Sequence, residues 1–201
     1  MVRRNLKFAV LGAMSLLLGC AQGAMSTLGA ASPPVSASAS ASAPAPGAVA
    51  APAFTHTRAE EWINSPPLSV DALRGKVVLV EFWTFDCINC LRSAEWVKKV
   101  AREKAGAGLV VVGVHTPELP QERNVANVRT AVSKLGIQYP VMIDGDYSYW
   151  NAMGNQYWPA FYLVDAEGHL RGHVFGEMHV GESQALQVEQ AIDALLAAPR
   201  T

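Results

Sequence analysis

The middle of the chain alternates continuous apolar runs with a helical stripe. Residues 77–80 and 109–114 consist of Val, Leu and one Gly, which is typical of strands buried on both faces of a partly parallel sheet. Between them, residues 88–104 place apolar side chains on one helical face: Leu91, Ala94, Val97 and Ala101. Gly106 and Gly108 follow and predict the end of this helix. Together these segments predict a β-α-β unit.

The second half of the chain continues this mixed pattern. Strands are predicted at residues 141–143, 161–164 and 169–175, and amphipathic helices at 125–135 and 182–197. The sequence Asp165-Ala166-Glu167-Gly168 joins the last two strands and indicates an antiparallel hairpin. The whole pattern predicts one α/β domain, in which helices flank a central mixed sheet.

The first twenty residues have a different character. A basic start precedes an apolar run over residues 8–18, which as a helix would rise only about 16 Å and is too short to span a bilayer. This predicts a signal peptide over residues 1–19. The sequence Leu17-Leu18-Gly19-Cys20 resembles a bacterial lipobox, which implies that Cys20 is lipidated. The alternative is ordinary cleavage after Ala21.

Residues 20–53 are rich in Ala, Ser and Pro and contain no charged residue. Such a segment cannot bury enough apolar surface to offset its ordering entropy. It is therefore predicted to be a disordered linker, followed by a folded domain over residues 54–201. With the leader, this predicts a protein of the bacterial periplasm that is anchored to a membrane by lipid at Cys20.

The charge balance excludes one class of partner. The chain carries 16 Lys and Arg against 17 Asp and Glu. Without Arg3, Arg4 and Lys7 of the leader, 13 basic residues stand against 17 acidic ones, a net charge of −4. A nucleic-acid partner would need a basic face, so none is expected.

Three cysteines are too few for a fold held together by disulfides.

The candidate chemistry lies in the sequence Cys87-Ile88-Asn89-Cys90. The two cysteines follow the strand at 77–83 and begin the helix at 88–104. Free backbone N–H groups at a helix N-terminus stabilise a thiolate and lower its pKa. The spacing lets the thiols meet across the first turn, so one can attack a disulfide and the other can resolve the product. A closed zinc site would need four ligands, and the sequence contains no second Cys pair, so no metal is assigned.

Glu81 interrupts a strand otherwise made of Val, Leu, Phe and Trp. The two-residue period of a strand places it on the same face as Leu79 and Trp83 and predicts that it is buried. Burial would raise the pKa of this carboxyl, which could then accept a proton from the resolving thiol. The alternative is a partly exposed acid at the end of the strand.

These residues resemble the thioredoxin superfamily, and within it the TlpA-like branch and the C-terminal domain of DipZ-type proteins. The resemblance extends over about 62–175 and rests on four segments: Leu-Arg-Gly-Lys-Val-Val-Leu-Val at 73–80, Trp-Thr-Phe-Asp-Cys-Ile-Asn-Cys at 83–90, Gly-Val-His-Thr-Pro-Glu at 113–118 and Tyr-Trp-Pro-Ala at 157–160. It implies a thioredoxin-like fold and a thiol-disulfide oxidoreductase without a cofactor. It also implies that Pro159 is a cis-proline facing the cysteines and that the backbone of Trp158 pairs with a bound substrate. The segment at 176–180 departs from the family pattern.

The predicted function is the reduction of protein disulfides by an exported enzyme, with Cys87 attacking, Cys90 resolving and Glu81 accepting the proton. Ile88 and Asn89 offer no cation to stabilise a thiolate, and Asp86 disfavours one. The pKa of Cys87 is therefore expected nearer the thioredoxin value of about 7 than the value of about 3.5 in the strongest oxidants. The expected partners are substrate proteins with disulfides and a membrane redox partner that supplies electrons.

Two other functions use the same residues. A copper chaperone of similar fold could complete a two-sulfur site with His115 or with Met178 and His179, although its usual three-residue cysteine spacing is absent. A thiol peroxidase is suggested by Thr84, three residues before Cys87, but the upstream proline is absent. The remaining histidines, at 56, 169 and 173, are expected at the hairpin or on the surface.

Overall fold

The computed structural model describes residues 48–199. It forms one seven-stranded mixed sheet in the order β1-β7-β6-β3-β4-β5-β2. The strands are β1 (Val49–Ala50), β2 (Trp62–Ile63), β3 (Val77–Trp83), β4 (Leu109–His115), β5 (Val141–Ile143), β6 (Ala160–Val164) and β7 (His169–Phe175). The helices are α1 (Ile88–Lys104), α2 (Val125–Lys134), α3 (Ser148–Ala152) and α4 (Ser183–Ala197). This is the single thioredoxin-like domain, with helices flanking a mixed sheet, that the sequence predicts.

The centre of the sheet is β3, in which every residue is buried. It runs parallel to β4 and antiparallel to β6, so β3, α1 and β4 form the predicted β-α-β unit. The hairpin of β6 and β7 is antiparallel, as the sequence also predicts. The active-site segment leaves the sheet at the carboxyl end of β3, where α1 begins.

The two faces of the sheet carry separate apolar clusters. Leu79 and Trp83 of β3 share one cluster with buried residues of α1, α2 and α4. Val80 and Phe82 face a second cluster, which includes aromatic side chains of α3 and of the segment before β2. Alternation along β3 thus determines which side chains can lie beneath α1.

The structure adds elements that the sequence pattern does not reveal: β1, β2 and α3. Val49–Ala50 pairs with β7, and the N–H of Ala51 donates to the carbonyl of Gly168 at 2.9 Å. Val49 and Ala50, which fall within the linker predicted over 20–53, therefore form an edge strand of the sheet. An edge strand of two residues is held by its backbone, so its side chains show no periodic pattern.

The predicted signal peptide, the lipidation site Cys20 and most of the linker lie outside the described residues. Within residues 48–199, none of the helices has the length and apolar character required to cross a membrane.

Candidate active site

The two cysteines lie at the start of α1. Cys87 is the residue that caps the helix, with an extended backbone, and the N–H of Cys90 donates to its Sγ at 3.3 Å. Both thiols are free, Cys87 being half-buried and Cys90 buried. The capping position follows from the sequence, because a strand that ends at Trp83 and a helix that begins at Ile88 leave Cys87 at the junction.

The surroundings of the two thiols separate their roles. The pKa of Cys87 is lowered to about 7, first by a hydrogen bond from the Cys90 side chain and also by the Cys90 backbone N–H, while burial and Glu118 act in the opposite direction. The pKa of Cys90 is raised far above its ordinary value, mainly by burial. Near neutral pH, Cys87 is therefore the thiol that ionises, and Cys90 retains its proton.

Glu81 is buried within the sheet, at 2% exposure. Burial raises its pKa to about 7, with a further contribution from the charge of Cys87, and the Tyr139 hydroxyl partly offsets the rise by donating to Oε2 at 2.9 Å. The prediction that Glu81 is buried is correct. Its electrostatic interactions with both cysteines place an ionisable carboxyl in the field of the dithiol.

The position of Tyr139 depends on a glycine that lies opposite Glu81. Gly113 of β4 pairs with Glu81 in the parallel register. A Cβ at Gly113 would lie 3.0 Å from both the Tyr139 ring and the Trp83 indole nitrogen, so tight that these side chains would have to shift. The missing side chain makes room for the Tyr139 ring beside the strand. Tyr139 follows no periodic pattern, so sequence reasoning missed it.

A buried carboxylate, Glu122, ties the active-site segment to the loop after β4. It lies in a short 3-10 turn at Pro120–Arg123 and is 1% exposed. Its oxygens accept the backbone N–H groups of Asp86 at 2.9 Å, Glu118 at 2.7 Å and Leu119 at 2.6 Å. Burial raises the pKa of Glu122, but a hydrogen bond from the Thr84 side chain and these backbone bonds outweigh it and lower the pKa. Glu122 thereby holds the residue that directly precedes Cys87.

The Trp158–Pro159 peptide bond is cis, as the resemblance implies, and Pro159 is buried. The Trp158 indole N–H donates to the carbonyl of Thr116 at 3.0 Å, and its ring lies 4.1 Å from that of Trp150. These contacts fix Trp158 between α3 and the loop after β4.

The chain matches the Redoxin family model over residues 47–189. It belongs to the redoxin family. Protein DipZ of Mycobacterium tuberculosis (strain CDC 1551) is 41% identical over 136 residues, which are 66% of this chain and 20% of DipZ. The chain therefore corresponds to about a fifth of that relative.

Two relatives of similar length cover most of this redoxin domain. Thiol-disulfide oxidoreductase YkuV of Bacillus subtilis is 26% identical over 141 residues, 70% of this chain and 91% of YkuV. A thioredoxin-like protein solved in solution in its oxidised form is 25% identical, with a TM-score of 0.64 over 75% of this chain and 96% of that one. Within the redoxin family, the chain is thus of the TlpA- and DipZ-like kind, whose relatives include thiol-disulfide oxidoreductases.

The residues considered for copper are buried or contact other groups in this redoxin. Met178 is fully buried, and its backbone N–H donates to Ser93 Oγ at 2.9 Å. His179 Nε2 lies 2.8 Å from Glu177 Oε2. His115 is buried, its Nε2 lies 3.2 Å from Thr84 Oγ1, and burial lowers its pKa to about 4.

One histidine lies elsewhere than the sequence predicts. His169 and His173 lie in the hairpin strand β7, as expected, but His56 is 8% exposed and contacts three acidic side chains. The partners come from distant parts of the chain, so no local pattern could reveal them.

Proposed function

We propose that this redoxin is an exported thiol-disulfide oxidoreductase that reduces disulfides in protein substrates through Cys87 and Cys90. The observation that carries the proposal is the difference between the two thiols. Cys87 is half-buried, caps a helix and has its pKa lowered to about 7. Cys90 is buried beside it, with its pKa raised. At neutral pH, Cys87 can therefore attack a disulfide as a thiolate, while Cys90 remains protonated.

The reaction proceeds in two displacements. The Cys87 thiolate attacks the substrate disulfide, forms a mixed disulfide and releases one substrate sulfur as a thiolate. Cys90 then loses its proton to the Glu81 carboxylate and attacks Cys87 Sγ. This closes the Cys87–Cys90 disulfide and releases the second substrate thiolate. The dithiol gives up two electrons, which a membrane redox partner must restore.

The pKa of Glu81 suits this role because it matches the pH at which the enzyme would work. With a pKa of about 7, Glu81 is partly ionised at neutral pH and can accept the proton. Cys90, with its raised pKa, would otherwise remain a poor nucleophile. Tyr139 supports the carboxylate by donating to Oε2.

The reducing direction rests on the limited stabilisation of the Cys87 thiolate. Its pKa of about 7 is near the thioredoxin value and above the value of about 3.5 in the strongest oxidants. The negative charge of Glu118 acts to raise the pKa of Cys87. The carboxylate of Asp86, which directly precedes Cys87, accepts a hydrogen bond from Gln121 at 2.8 Å. A less stable thiolate makes the dithiol a better reductant.

Substrate binding is assigned to the backbone of Trp158 before the cis bond to Pro159, by resemblance to the superfamily. The fixed indole of Trp158 supports this role, because it keeps the backbone of Trp158 in one place. Protein substrates with disulfides follow from the kinship with thiol-disulfide oxidoreductases.

Export and lipid anchoring rest on the leader sequence and on Cys20. A signal peptide over residues 1–19 would direct the domain to the bacterial periplasm, with a diacylglyceryl group on Cys20. Mass spectrometry of the mature N-terminus should show lipid on Cys20. A free N-terminus at Gln22 would show ordinary cleavage instead.

The test of the cysteine cycle is the Cys90→Ala variant, expressed at full length in a bacterial host. Without the resolving thiol, Cys87 should remain joined to its substrates as mixed disulfides. These adducts should appear on non-reducing gels and disappear with a reductant. The matched control is the Cys87→Ala/Cys90→Ala double variant, which should trap nothing, and equal trapping by both would refute the assignment of Cys87.

Direction and base catalysis need separate measurements. The reduction potential of the Cys87–Cys90 pair should be near the thioredoxin value of about −270 mV, and a value near −120 mV would reverse the direction.

Glu81→Leu should slow resolution by Cys90 more than formation of the mixed disulfide, as measured by stopped flow with a peptide disulfide. Equal slowing of both steps would argue against Glu81 as the base. Stoichiometric copper binding by the reduced protein would favour the chaperone alternative.

A further inference from the structure

A second cluster of polar side chains surrounds His56, apart from the cysteines. The His56 ring is buried, and its Nε2 lies 3.1 Å from Asp144 Oδ1, 3.3 Å from Asp146 Oδ1 and 3.2 Å from Ser148 Oγ. Asp144, Asp146 and Ser148 occupy every second position from the end of β5 to the start of α3. Alternate positions of one loop therefore direct three oxygens at a single imidazole nitrogen.

The spacing of these atoms fits a small cation. The donor atoms of His56, Asp144 and Asp146 all lie within 4.8 Å of one another, and Ser148 Oγ lies 3.4 Å from Asp144 Oδ1. Ligands that bind Zn²⁺ tetrahedrally at about 2.0–2.1 Å are about 3.3 Å apart. Four of the six distances among the donor atoms of His56, Asp144, Asp146 and Ser148 are 3.1 to 3.4 Å, close to the edge length of such a tetrahedron.

The other nitrogen of His56 also points to a cation at Nε2. Nδ1 lies 3.3 Å from Glu61 Oε1, so a neutral ring that donates its Nδ1–H to Glu61 presents a lone pair at Nε2. This lone pair faces two carboxylate oxygens at 3.1 and 3.3 Å. Either a metal cation or the Nε2–H of a protonated ring can occupy this position, so a metal would bind by replacing that proton. A carboxylate behind the histidine is the usual partner of a metal-binding imidazole, because it fixes the tautomer and orients the ring.

The charges and lone pairs are compatible with a dication. The three carboxylates of Glu61, Asp144 and Asp146 exceed the single guanidinium of Arg58, which pairs with Glu61 at 2.7 Å, by two negative charges. Asp144 Oδ1 accepts the N–H of Tyr149, and Asp146 Oδ1 that of Ser148, each at 2.9 Å. A carboxylate oxygen has two lone pairs, so each still has one for a cation.

The geometry points to a binding site for a divalent transition-metal cation such as Zn²⁺, formed by His56, Asp144, Asp146 and Ser148, with Glu61 supporting the imidazole. An imidazole among the ligands suits Zn²⁺ better than Mg²⁺ or Ca²⁺. The metal would join the segment before β2 to the loop between β5 and α3. This site is independent of the proposed function, because it contains neither cysteine.

The test is calorimetric titration with Zn²⁺ of the full chain in which Cys20, Cys87 and Cys90 are replaced by Ser, so that no thiol can bind the metal. This parent protein should bind one equivalent and melt at a higher temperature with Zn²⁺ than with EDTA. Asp146→Ala and His56→Gln should each weaken binding at least about tenfold. Asp146 is largely exposed, with 65% of its side chain accessible, so its replacement leaves the fold intact even if the His56 variant is unstable.

Matched controls are His173→Gln and Asp71→Asn, which remove an exposed histidine and an exposed acid and should leave the affinity unchanged. An absence of Zn²⁺ binding in the folded parent would overturn the proposal and leave the acids around His56 with a structural role alone. Equal affinity in the parent and the Asp146→Ala variant would also overturn it, because the metal would then bind elsewhere.

Discussion

Glu81 is an acid in a place where its charged form is costly. It lies in the central strand and is completely buried, and this burial raises its pKa from 4.5 to about 7. Such a shift corresponds to about 3 kcal/mol of differential stabilisation of the protonated form. The same burial that tunes a proton acceptor therefore also makes the stability of the fold depend on pH.

Glu81→Gln should remove this pH dependence. The folded protein holds the Glu81 proton more tightly than the unfolded chain, since the folded pKa of about 7 exceeds the ordinary 4.5. The stability from this proton is complete below about pH 4.5 and is lost as pH rises through about 7. Relative to the wild type, the variant should gain up to about 3 kcal/mol between about pH 4.5 and about pH 8, measured by urea unfolding. The control variant Glu182→Gln, at a surface position, should show the same pH dependence of the free energy of unfolding as the wild type. If Glu81→Gln also showed that dependence, Glu81 would not be its source.

Tyr139→Phe should raise the pKa of Glu81 further. The variant keeps the ring but removes the hydroxyl that donates to Oε2 at 2.9 Å. A hydrogen bond to a charged group contributes about 1.5–3 kcal/mol, so the midpoint should move up by about one pH unit or more. Carbon-13 NMR of the Glu81 carboxyl measures this midpoint, and resolution by Cys90 should need a correspondingly higher pH. An unchanged midpoint would show that Tyr139 only fills space.

At the scale of elements, the active site is the junction between β3 and α1, and the loop after β4 determines its shape. Thr84 and Phe85 of the junction contact His115 at the end of β4, and a further contact ties the junction backbone to the loop. Glu122 supplies the contact by accepting N–H groups from both Asp86 and the loop. A buried carboxylate in a short turn thus positions the cap residue Cys87 from outside its own helix.

Glu122→Ala should destabilise the protein by about 3 kcal/mol, because it leaves three backbone N–H donors without their acceptor. A buried donor without a partner costs about 1–3 kcal/mol, and a donor that water can reach costs less. Glu122→Gln should lose less, since its amide oxygen can still accept. Denaturant unfolding measures both, and the rate of Cys87 alkylation reports whether the junction has moved. Gln190→Ala, at an exposed position of α4, should change stability by less than about 0.5 kcal/mol. A similarly small loss in Glu122→Ala would show that water replaces the carboxylate.

At the scale of the whole molecule, the sheet lies between two apolar clusters, and Trp96 links three elements around one of them. Trp96 lies on α1 and is fully buried. Its indole N–H donates to Glu189 of α4 at 2.9 Å, and its ring meets Phe161 of β6 edge to face at 5.3 Å. The helix that carries the cysteines is thereby packed onto the sheet and onto α4.

Trp96→Ala should cost about 3–5 kcal/mol, because it removes a large buried ring and leaves a cavity. The midpoint of guanidinium unfolding, monitored by far-ultraviolet circular dichroism, measures the loss. Leu186→Ala, at a position of α4 that is 45% exposed, is the matched control and should cost less than about 1 kcal/mol. Comparable losses in the two variants would mean that α1 is held mainly by contacts elsewhere.

Local sequence determined the central elements and the reactive pair. The β-branched runs, the stripe of α1 and the spacing of Cys87 and Cys90 are short-range patterns, and the period of β3 was sufficient to predict the burial of Glu81. Physically, strands and helices repeat every two and every 3.6 residues, so a pattern within a few residues identifies the element and the face on which each side chain lies.

Tertiary structure decided the partners of these residues. Tyr139 meets Glu81 from 58 positions away, Glu122 reaches Asp86 from 36, and His56 meets Asp144 from 88. The edge strand β1 is likewise held by backbone pairing with β7. A hydrogen bond between distant segments, or between backbones alone, leaves no period in the sequence. The burial of Glu81 could therefore be predicted from the strand that contains it, whereas its hydroxyl donor became evident only when the sheet brought Tyr139 beside Gly113.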